Sequence, residues 1–99
     1  MYQATLKVGG GKLLRVKMEL ENVEENLKIG SLNLTGDFFL HPEDTLPELE
    51  KALCGLDWPA EEKVYVDGVE GVLNRNGAKF IGVSAQDIAQ AILMAVEEV

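Results

Sequence analysis

The stretch that decides the fold is Tyr2–Leu20, YQATLKVGGGKLLRVKMEL, where apolar and polar residues alternate on both sides of three glycines. A period of two places the apolar side chains on one face of a strand and the polar ones on the other. Two such runs joined by a short glycine turn predict an antiparallel hairpin with one covered face. We expect Leu14 and Val16 to face the core while Arg15 and Lys17 face water or a partner, because a slip of one residue would bury two charges.

A third strand is expected after a turn at residues 22–26. Its apolar residues change phase, with Leu27 and Ile29 in one phase and Leu32 and Leu34 in the other. A β-bulge at Gly30-Ser31 explains such a change, because one extra residue moves the following side chains to the opposite face. The first third of the chain therefore predicts three antiparallel strands.

Beyond these strands the apolar spacing becomes helical. A first helix is expected to begin with a capping box, with Thr45 as N-cap and Glu48 at N3, and to stop at Gly55. A second helix is expected from residues 57–59 to residues 74–77. Residues 84–87, SAQD, begin a third helix that is expected to run nearly to Val99. The prediction is a single α+β domain over residues 1–99, a two-layer fold in which a three-stranded antiparallel sheet is followed by about three helices packed on one face.

Composition limits the functional classes. The 99 residues carry 9 Lys and Arg against 17 Asp and Glu, a net charge of −8, which disfavours a general nucleic-acid binder. Residues 1–18 nevertheless contain four basic residues and no acid. This asymmetry indicates either contact with an anion or acidic partner, or simply a basic strand pair on an acidic surface. The single cysteine, and the lack of a long apolar run or signal peptide, favour a reducing, cytoplasmic location without a membrane or nucleic-acid partner.

Catalytic chemistry has little support in the residue inventory. His41 is the one histidine and lies before a proline, and Cys54 lies beside a helical leucine, so we expect a surface histidine and a buried, inert cysteine. No Ser-His-Asp or Cys-His spacing and no metal-ligand pattern accompanies them. We therefore predict no catalytic residue and no metal site, and no activity of this chain alone.

Two segments contain features that the formation of strands and turns does not by itself explain. The first is Lys7–Leu13, where Gly10, Gly11 and the flanking Lys7 and Lys12 offer bare backbone and positive charge. A flexible hairpin turn is the alternative interpretation, and the spacing is not that of a phosphate-binding P-loop.

The second segment is the corner that follows the third strand, with Gly36, Asp37, Phe38 and Phe39. Adjacent residues of an extended chain point to opposite faces, so both rings cannot enter the core. One ring is expected to seal the sheet–helix layer and the other to meet a partner or a pocket, while Asp37 caps a turn or faces a ligand.

Together, KVGGGKL at residues 7–13 and GDFF at residues 36–39 resemble the C-terminal accessory domain of lipoate–protein ligases. The likeness covers almost the whole chain, although that family often has proline in place of Gly9. In some archaea this domain is a separate small subunit beside a catalytic subunit. The resemblance therefore implies a heterodimer with a catalytic ligase subunit that forms lipoyl-adenylate from lipoate and ATP, with Mg²⁺, and transfers the lipoyl group to a lysine of an acceptor domain.

In that family the accessory part acts as a lid needed for activation more than for transfer. The resemblance places the residues of its two motifs near the partner and the nucleotide: Lys7, Gly10, Gly11, Lys12, Gly36, Asp37, Phe38 and Phe39. No cofactor is expected on this chain alone; ATP and lipoate belong to the complex.

Two other functions stay open at this stage. The layout also resembles iron–sulfur assembly proteins, so a scaffold or sulfur-acceptor module is one alternative, and it would require an exposed, low-pKa Cys54. A stand-alone module that binds a small anion at the glycine-rich turn is the other, and it would bind nucleotide without a partner.

Overall fold

The computed structural model describes residues 1–98 and is an α+β structure. Three α-helices cover one face of a four-stranded antiparallel sheet, and a two-stranded sheet lies beside it. The elements in chain order are β1 (Tyr2–Lys7), β2 (Leu13–Val23), β3 (Asn26–Gly36), β4 (Phe39–His41), α1 (Thr45–Leu53), α2 (Glu62–Asn76), β5 (Lys79–Ile81), α3 (Ala85–Met94) and β6 (Val96–Glu97).

The hairpin and its orientation are confirmed. β1 pairs antiparallel with β2, with Ala4 opposite Val16 and Thr5 opposite Arg15. The apolar set of β2, including Val16, is buried under the helices, whereas Arg15 and Lys17 are exposed. The three-stranded prediction was wrong in number, because the strand order of the main sheet is β3-β2-β1-β6.

The bulge in β3 is confirmed. Glu19 pairs with Ser31 and Leu20 pairs with Ile29, so Gly30 is the extra residue. A Cβ at Gly30 would lie 2.6 Å from Cγ of the Glu21 side chain, and this crowding explains glycine there. The preceding turn is tighter than predicted, because only two residues, 24 and 25, connect β2 to β3, both with positive φ.

The start of α1 was predicted wrongly. Asp44, not Thr45, is the N-cap, and neither end of a capping box forms. The Thr45 N–H donates to the carbonyl of Pro42, so the chain is already turning before Thr45, which is buried as the first helical residue. The sequence pattern of a capping box consists of two side chains, so it does not indicate the backbone turn that precedes Thr45.

The start of α2 was also misplaced. Residues 55–58 do not begin a helix, because they pair along the edge of β3: the N–H of Ile29 donates to Leu56 O at 2.9 Å, and the N–H of Trp58 donates to Leu27 O at 3.0 Å. This pairing covers an edge that would otherwise be open to association. The helix therefore begins at Glu62, and it ends as predicted before Gly77, whose φ is +56°.

The last third of the chain contains one confirmed element and two that were missed. Ser84 and Asp87 form the predicted capping box at the start of α3. The helix stops at Met94 instead of continuing towards residue 99, because Val96 and Glu97 pair with β1. The short strand β5 was also not predicted; it pairs with β4 across nearly forty residues of chain, with Phe39 opposite Ile81.

Candidate functional site

The glycine-rich turn projects from the end of the β1–β2 hairpin. Residues 9–11 form a single 3₁₀ turn in which Gly10 and Gly11 have φ of +80° and +78°. A Cβ at Gly9 or Gly10 would meet nothing within 4 Å, so this backbone is open to approach. The Cε atom of Lys7 lies 3.6 Å from the Cβ position of Gly11, which puts the Lys7 side chain over the turn. Positive φ explains two of the three glycines, and only Gly9 is conformationally unconstrained.

The corner after β3 is clamped to the start of β2. The N–H of Asp37 donates to Leu13 O at 2.8 Å, and the N–H of Leu13 donates to Asp37 Oδ2 at 3.1 Å. Of the two roles predicted for Asp37, the structure therefore shows the local one, a reciprocal pair of hydrogen bonds that joins the corner to the hairpin.

Gly36 is required by this close approach. Its φ is +141°, and a Cβ would collide with the carbonyl group of Leu13. A larger residue would push the corner away from β2, so Gly36 is a structural requirement for bringing Asp37 to Leu13.

A residue that the sequence analysis did not single out completes the junction. Gly82, which follows β5, has φ of +101°, and its Cβ position lies 3.0 Å from Asp37 O and 3.4 Å from Lys12 Cδ. Gly82 thus lies between the glycine-rich turn and the Asp37 corner. The available signal was a lone glycine shortly before the Ser84 cap, which is not specific.

We call the assembled region the glycine corner: residues 7–12, residues 36–39 and Gly82. All eight sequence-predicted site residues lie in it, so the two motifs that are separated in sequence meet in space. The geometry shows proximity; the functional roles assigned to these residues stay predictions.

The two adjacent phenylalanines of the corner have different environments, as predicted. Phe38 packs against the core and meets Phe80 edge-on, with ring centroids 5.6 Å apart. Phe39 is 67% exposed and its strand partner Ile81 is 60% exposed. We call this pair the apolar patch. Beside it is an open cavity of about 400 Å³ to which both Phe38 and Phe39 contribute, together with residues of β3 and of the segment leading into α1.

Within residues 1–98, the basic residues of β1, the glycine-rich turn and β2 form no ion pair. The ion pairs of this part of the chain involve the N-terminus, Lys28, Lys63 and Arg75. Lys7 and Lys12 at the glycine corner are exposed and make no such pair there. The corner therefore combines exposed apolar groups with uncompensated positive charge, a mixture typical of interfaces.

The chain's one histidine and one cysteine lie outside the glycine corner, and the cysteine is not activated as a nucleophile. His41 is an exposed residue of β4, as expected. Cys54 is half-buried, and its Sγ donates to Glu50 O at 3.4 Å. Burial raises the pKa of the Cys54 thiol, and the carboxylates of Glu21 and Glu50 raise it further. Such a thiol carries little thiolate at neutral pH, which is the opposite of what a sulfur acceptor needs.

Within residues 1–98 no three His, Cys, Asp or Glu side chains are grouped so as to hold a metal ion. In the same residues, none of the helices has the length and apolar character needed to cross a membrane.

The fold and the corner define a class: a small α+β domain whose exposed features are suited to contact with another molecule. No protein-family model and no curated protein matches the sequence. Among solved structures, the chain is similar to one from Thermoplasma acidophilum, from an archaeal lipoylation system described as a bipartite lipoate protein ligase and its E2 lipoyl domain. The match has 29% identity and a TM-score of 0.72 and covers 93% of this chain and 94% of that one. The resemblance to lipoate–protein ligase drawn from the two motifs is confirmed by this likeness.

Proposed function

We propose that this chain is the non-catalytic accessory subunit of a two-chain, ATP-dependent lipoate–protein ligase. In this proposal it forms a heterodimer with a catalytic subunit and is required for activation of lipoate to lipoyl-adenylate, after which the lipoyl group passes to a lysine of an acceptor domain. The observation that carries the proposal is the likeness over 93% of the chain to a component of a bipartite lipoate protein ligase system.

The glycine corner is the proposed contact with the catalytic subunit. The apolar patch offers area that is excluded from water on docking, and Lys7 and Lys12 offer charge next to open backbone. Activation is the step that rearranges triphosphate charge, as the lipoate carboxylate attacks the α-phosphorus of ATP and pyrophosphate leaves. Positive charge brought to a closed site stabilises that transition state more than the later acyl transfer.

Chemistry on the reacting atoms belongs to the catalytic subunit in this proposal. ATP, lipoate and Mg²⁺ are bound in the complex, and none is assigned to this chain alone. The Asp37 carboxylate already accepts a hydrogen bond from the Leu13 N–H. We therefore assign Asp37 the role of positioning the corner and not that of a metal ligand. Acceptor domains contact this chain only through its complex with the catalytic subunit. A cytoplasmic location remains a prediction.

Reconstitution tests the proposal. A candidate catalytic ligase chain, sought among the genes adjacent to the one for this chain, is purified and assayed for lipoate-dependent ATP–pyrophosphate exchange with and without this chain. We expect exchange only in the mixture, and co-elution of the two chains. Failure to raise exchange in a mixture that co-elutes would contradict a role in activation.

Two controls separate the alternatives. Intact mass measurement of this chain after complete turnover reports whether it is itself lipoylated; modification of one of its lysines would make it an acceptor domain instead of a ligase subunit. Titration of this chain alone with ATP reports whether it binds nucleotide without a partner. Tight binding there would favour the anion-binding module.

A further inference from the structure

The helices of residues 1–98 all lie on one side of the main sheet. α1 and α3 pack against the inner face, where the apolar residues of β2 and β3 are buried, and α2 packs on those two helices. The outer face presents mostly polar side chains, which form rows across the strands. One row is Thr5–Arg15–Thr35, and the next, which begins on β6, is Val96–Gln3–Lys17–Asn33.

Two unlike walls border a groove on this outer face. The groove has a volume of about 530 Å³, and β1 lies along its floor. Arg15 and Lys17 of β2, both exposed, form one wall. Met94 and Val96, which are 52% and 63% exposed, form the other. The groove therefore has a cationic wall and an apolar wall.

The cationic wall has no counter-charge of its own. Arg15 and Lys17 form no ion pair within residues 1–98, although the chain has a net charge of −8. The next acid along β2, Glu19, pairs instead with the N-terminal amino group. Glu98 is the one acid that lines the groove, so the cations outnumber it by two to one. An occupant with carboxylates would be attracted to this wall.

The spacing of the walls matches the width of a helix. Lys17, Gln3 and Val96 are register partners on three adjacent strands, so the two walls are about 10 Å apart at about 4.8 Å per strand. An α-helix with its side chains is about 10–12 Å across. Along β2, Arg15 and Lys17 are separated by about 6.6 Å, and residues i and i+4 of a helix by about 6 Å. A helix lying along β1 can therefore place two carboxylates opposite the two cations.

We propose that this groove is a docking site for an amphipathic α-helix of a partner protein. Carboxylates at i and i+4 on one flank of the helix face Arg15 and Lys17, and apolar side chains on the other flank face Met94 and Val96. Docking an amphipathic helix in a groove is a recurrent mode of recognition. It uses side chains and needs no free strand edge, because β1 already lies between β2 on one side and β6 with the end of α3 on the other. The site is separate from the glycine corner and does not depend on the proposed ligase function.

The chemistry of both walls argues for this occupant over others. A basic helix would bring like charge to Arg15 and Lys17. A wholly apolar helix would desolvate these two cations without compensation, which is costly. A uniformly acidic helix would leave the apolar wall without an apolar contact and would meet the carboxylate of Glu98. Only a helix with separate acidic and apolar flanks complements both walls.

Binding of a defined helix to the full chain tests the proposal. The probe is a fluorescein-labelled, alanine-based helical peptide with glutamates at i and i+4 on one flank and leucines at i and i+4 on the opposite flank. One control peptide has lysines in place of the glutamates, and another has the same composition shuffled so that neither residue type forms a stripe. Fluorescence anisotropy gives the dissociation constant, and amide NMR chemical shifts locate the contact. We expect saturable binding of the striped acidic peptide alone, with shifts at residues 3–5, 15–17 and 94–96.

The cationic wall is tested by charge reversal. Arg15→Glu/Lys17→Glu should weaken binding about tenfold or more, because it replaces attraction by repulsion. The matched control Lys51→Glu/Lys63→Glu makes the same charge change at exposed positions of α1 and α2. It should stay within about twofold of the parent, because charges distant from a contact act mainly through screened long-range attraction.

The apolar wall is tested without a change of charge. Met94→Gln/Val96→Thr removes apolar surface and should weaken binding about fivefold. Val64→Thr at an exposed position of α2 is its control and should change the dissociation constant little. Urea unfolding verifies that each variant is folded, and each wall is tested independently of the other. Equal binding of the lysine or shuffled peptide, absence of binding, equal losses in a wall variant and its control, or shifts confined to other residues would overturn the proposal.

Discussion

Truncation of the two neighbouring phenylalanines of the corner should separate stability from association. Phe38 packs on the core and contacts Phe80, whereas Phe39 is 67% exposed and paired with the exposed Ile81. Phe38→Ala therefore removes intramolecular contacts, and Phe39→Ala removes a side chain that points away from the core. The same chemical change at adjacent positions should have opposite consequences.

The magnitudes follow from these environments. A fully buried Phe→Ala change costs about 3–5 kcal/mol, and because Phe38 is only partly buried we expect about 2–3 kcal/mol, including about 0.5–1.5 kcal/mol from the ring pair. For a domain of this size that lowers Tm by roughly 10–20 °C. Phe39→Ala should change the free energy of unfolding by less than about 0.5 kcal/mol, as exposed substitutions do. If Phe39 anchors the complex, its truncation should cost about 2 kcal/mol of binding, roughly 30-fold in Kd.

The assays are urea unfolding of the isolated chain and calorimetric titration with the catalytic subunit. Val64→Ala, which truncates an exposed side chain on α2, is the matched control and should change neither quantity appreciably. Equal loss of stability in both phenylalanine variants, with affinity unchanged by Phe39→Ala, would show that the corner is only part of the core and would refute the reasoning.

Four further outcomes are expected. Gly36→Ala should destabilise the chain by more than about 2 kcal/mol in urea unfolding, through positive φ and collision with the Leu13 carbonyl, while Gly9→Ala in open space should be nearly neutral. Lys12→Ala should slow single-turnover lipoylation from lipoate plus ATP by about 10²–10³-fold but leave transfer from preformed lipoyl-adenylate unchanged, with Lys51→Ala as control; equal slowing of both reactions would contradict the proposed role. Burial chiefly raises the pKa of the Tyr65 phenol, and since a raised folded-state pKa favours the protonated form, the contribution of Tyr65 to stability should be constant below pH 10 and fall above it; Tyr65→Phe should make the alkaline fall in the free energy of unfolding shallower, and an unchanged fall would contradict this. Native Cys54 should react with a chromogenic disulfide at neutral pH far more slowly than the unfolded chain, and equal rates would revive the sulfur-acceptor alternative.

The glycine corner shows how far a site can be predicted from sequence. The two motifs were visible because each has a local anomaly: three glycines where a hairpin needs fewer, and two adjacent rings that cannot both be buried. Gly82 and Ile81 have no such anomaly. They join the site because β5 pairs with β4, and nothing near residue 80 in the sequence indicates that partner.

Local patterns determined the elements that are stabilised by their own neighbours. Alternation in β1 and β2, the phase change at Gly30 and the Ser84–Asp87 cap each depend on residues a few positions apart, and the structure has all of them. In each case a different arrangement would bury charge or leave a helix end unsatisfied, so the local preference and the fold agree.

Tertiary contacts decided the remaining elements. Val96 and Glu97 follow closely on α3, yet they form β6 instead of extending the helix, because the edge of β1 lies beside the end of α3. Residues 57–59 resemble a helix start, but Asp57 and Trp58 pair with β3, and residues 79–81 are too short to show a period of their own. The physical reason is the same throughout: a segment of two to four residues gains little from its own conformational preference, so the strand edge available to it in the folded chain determines its structure.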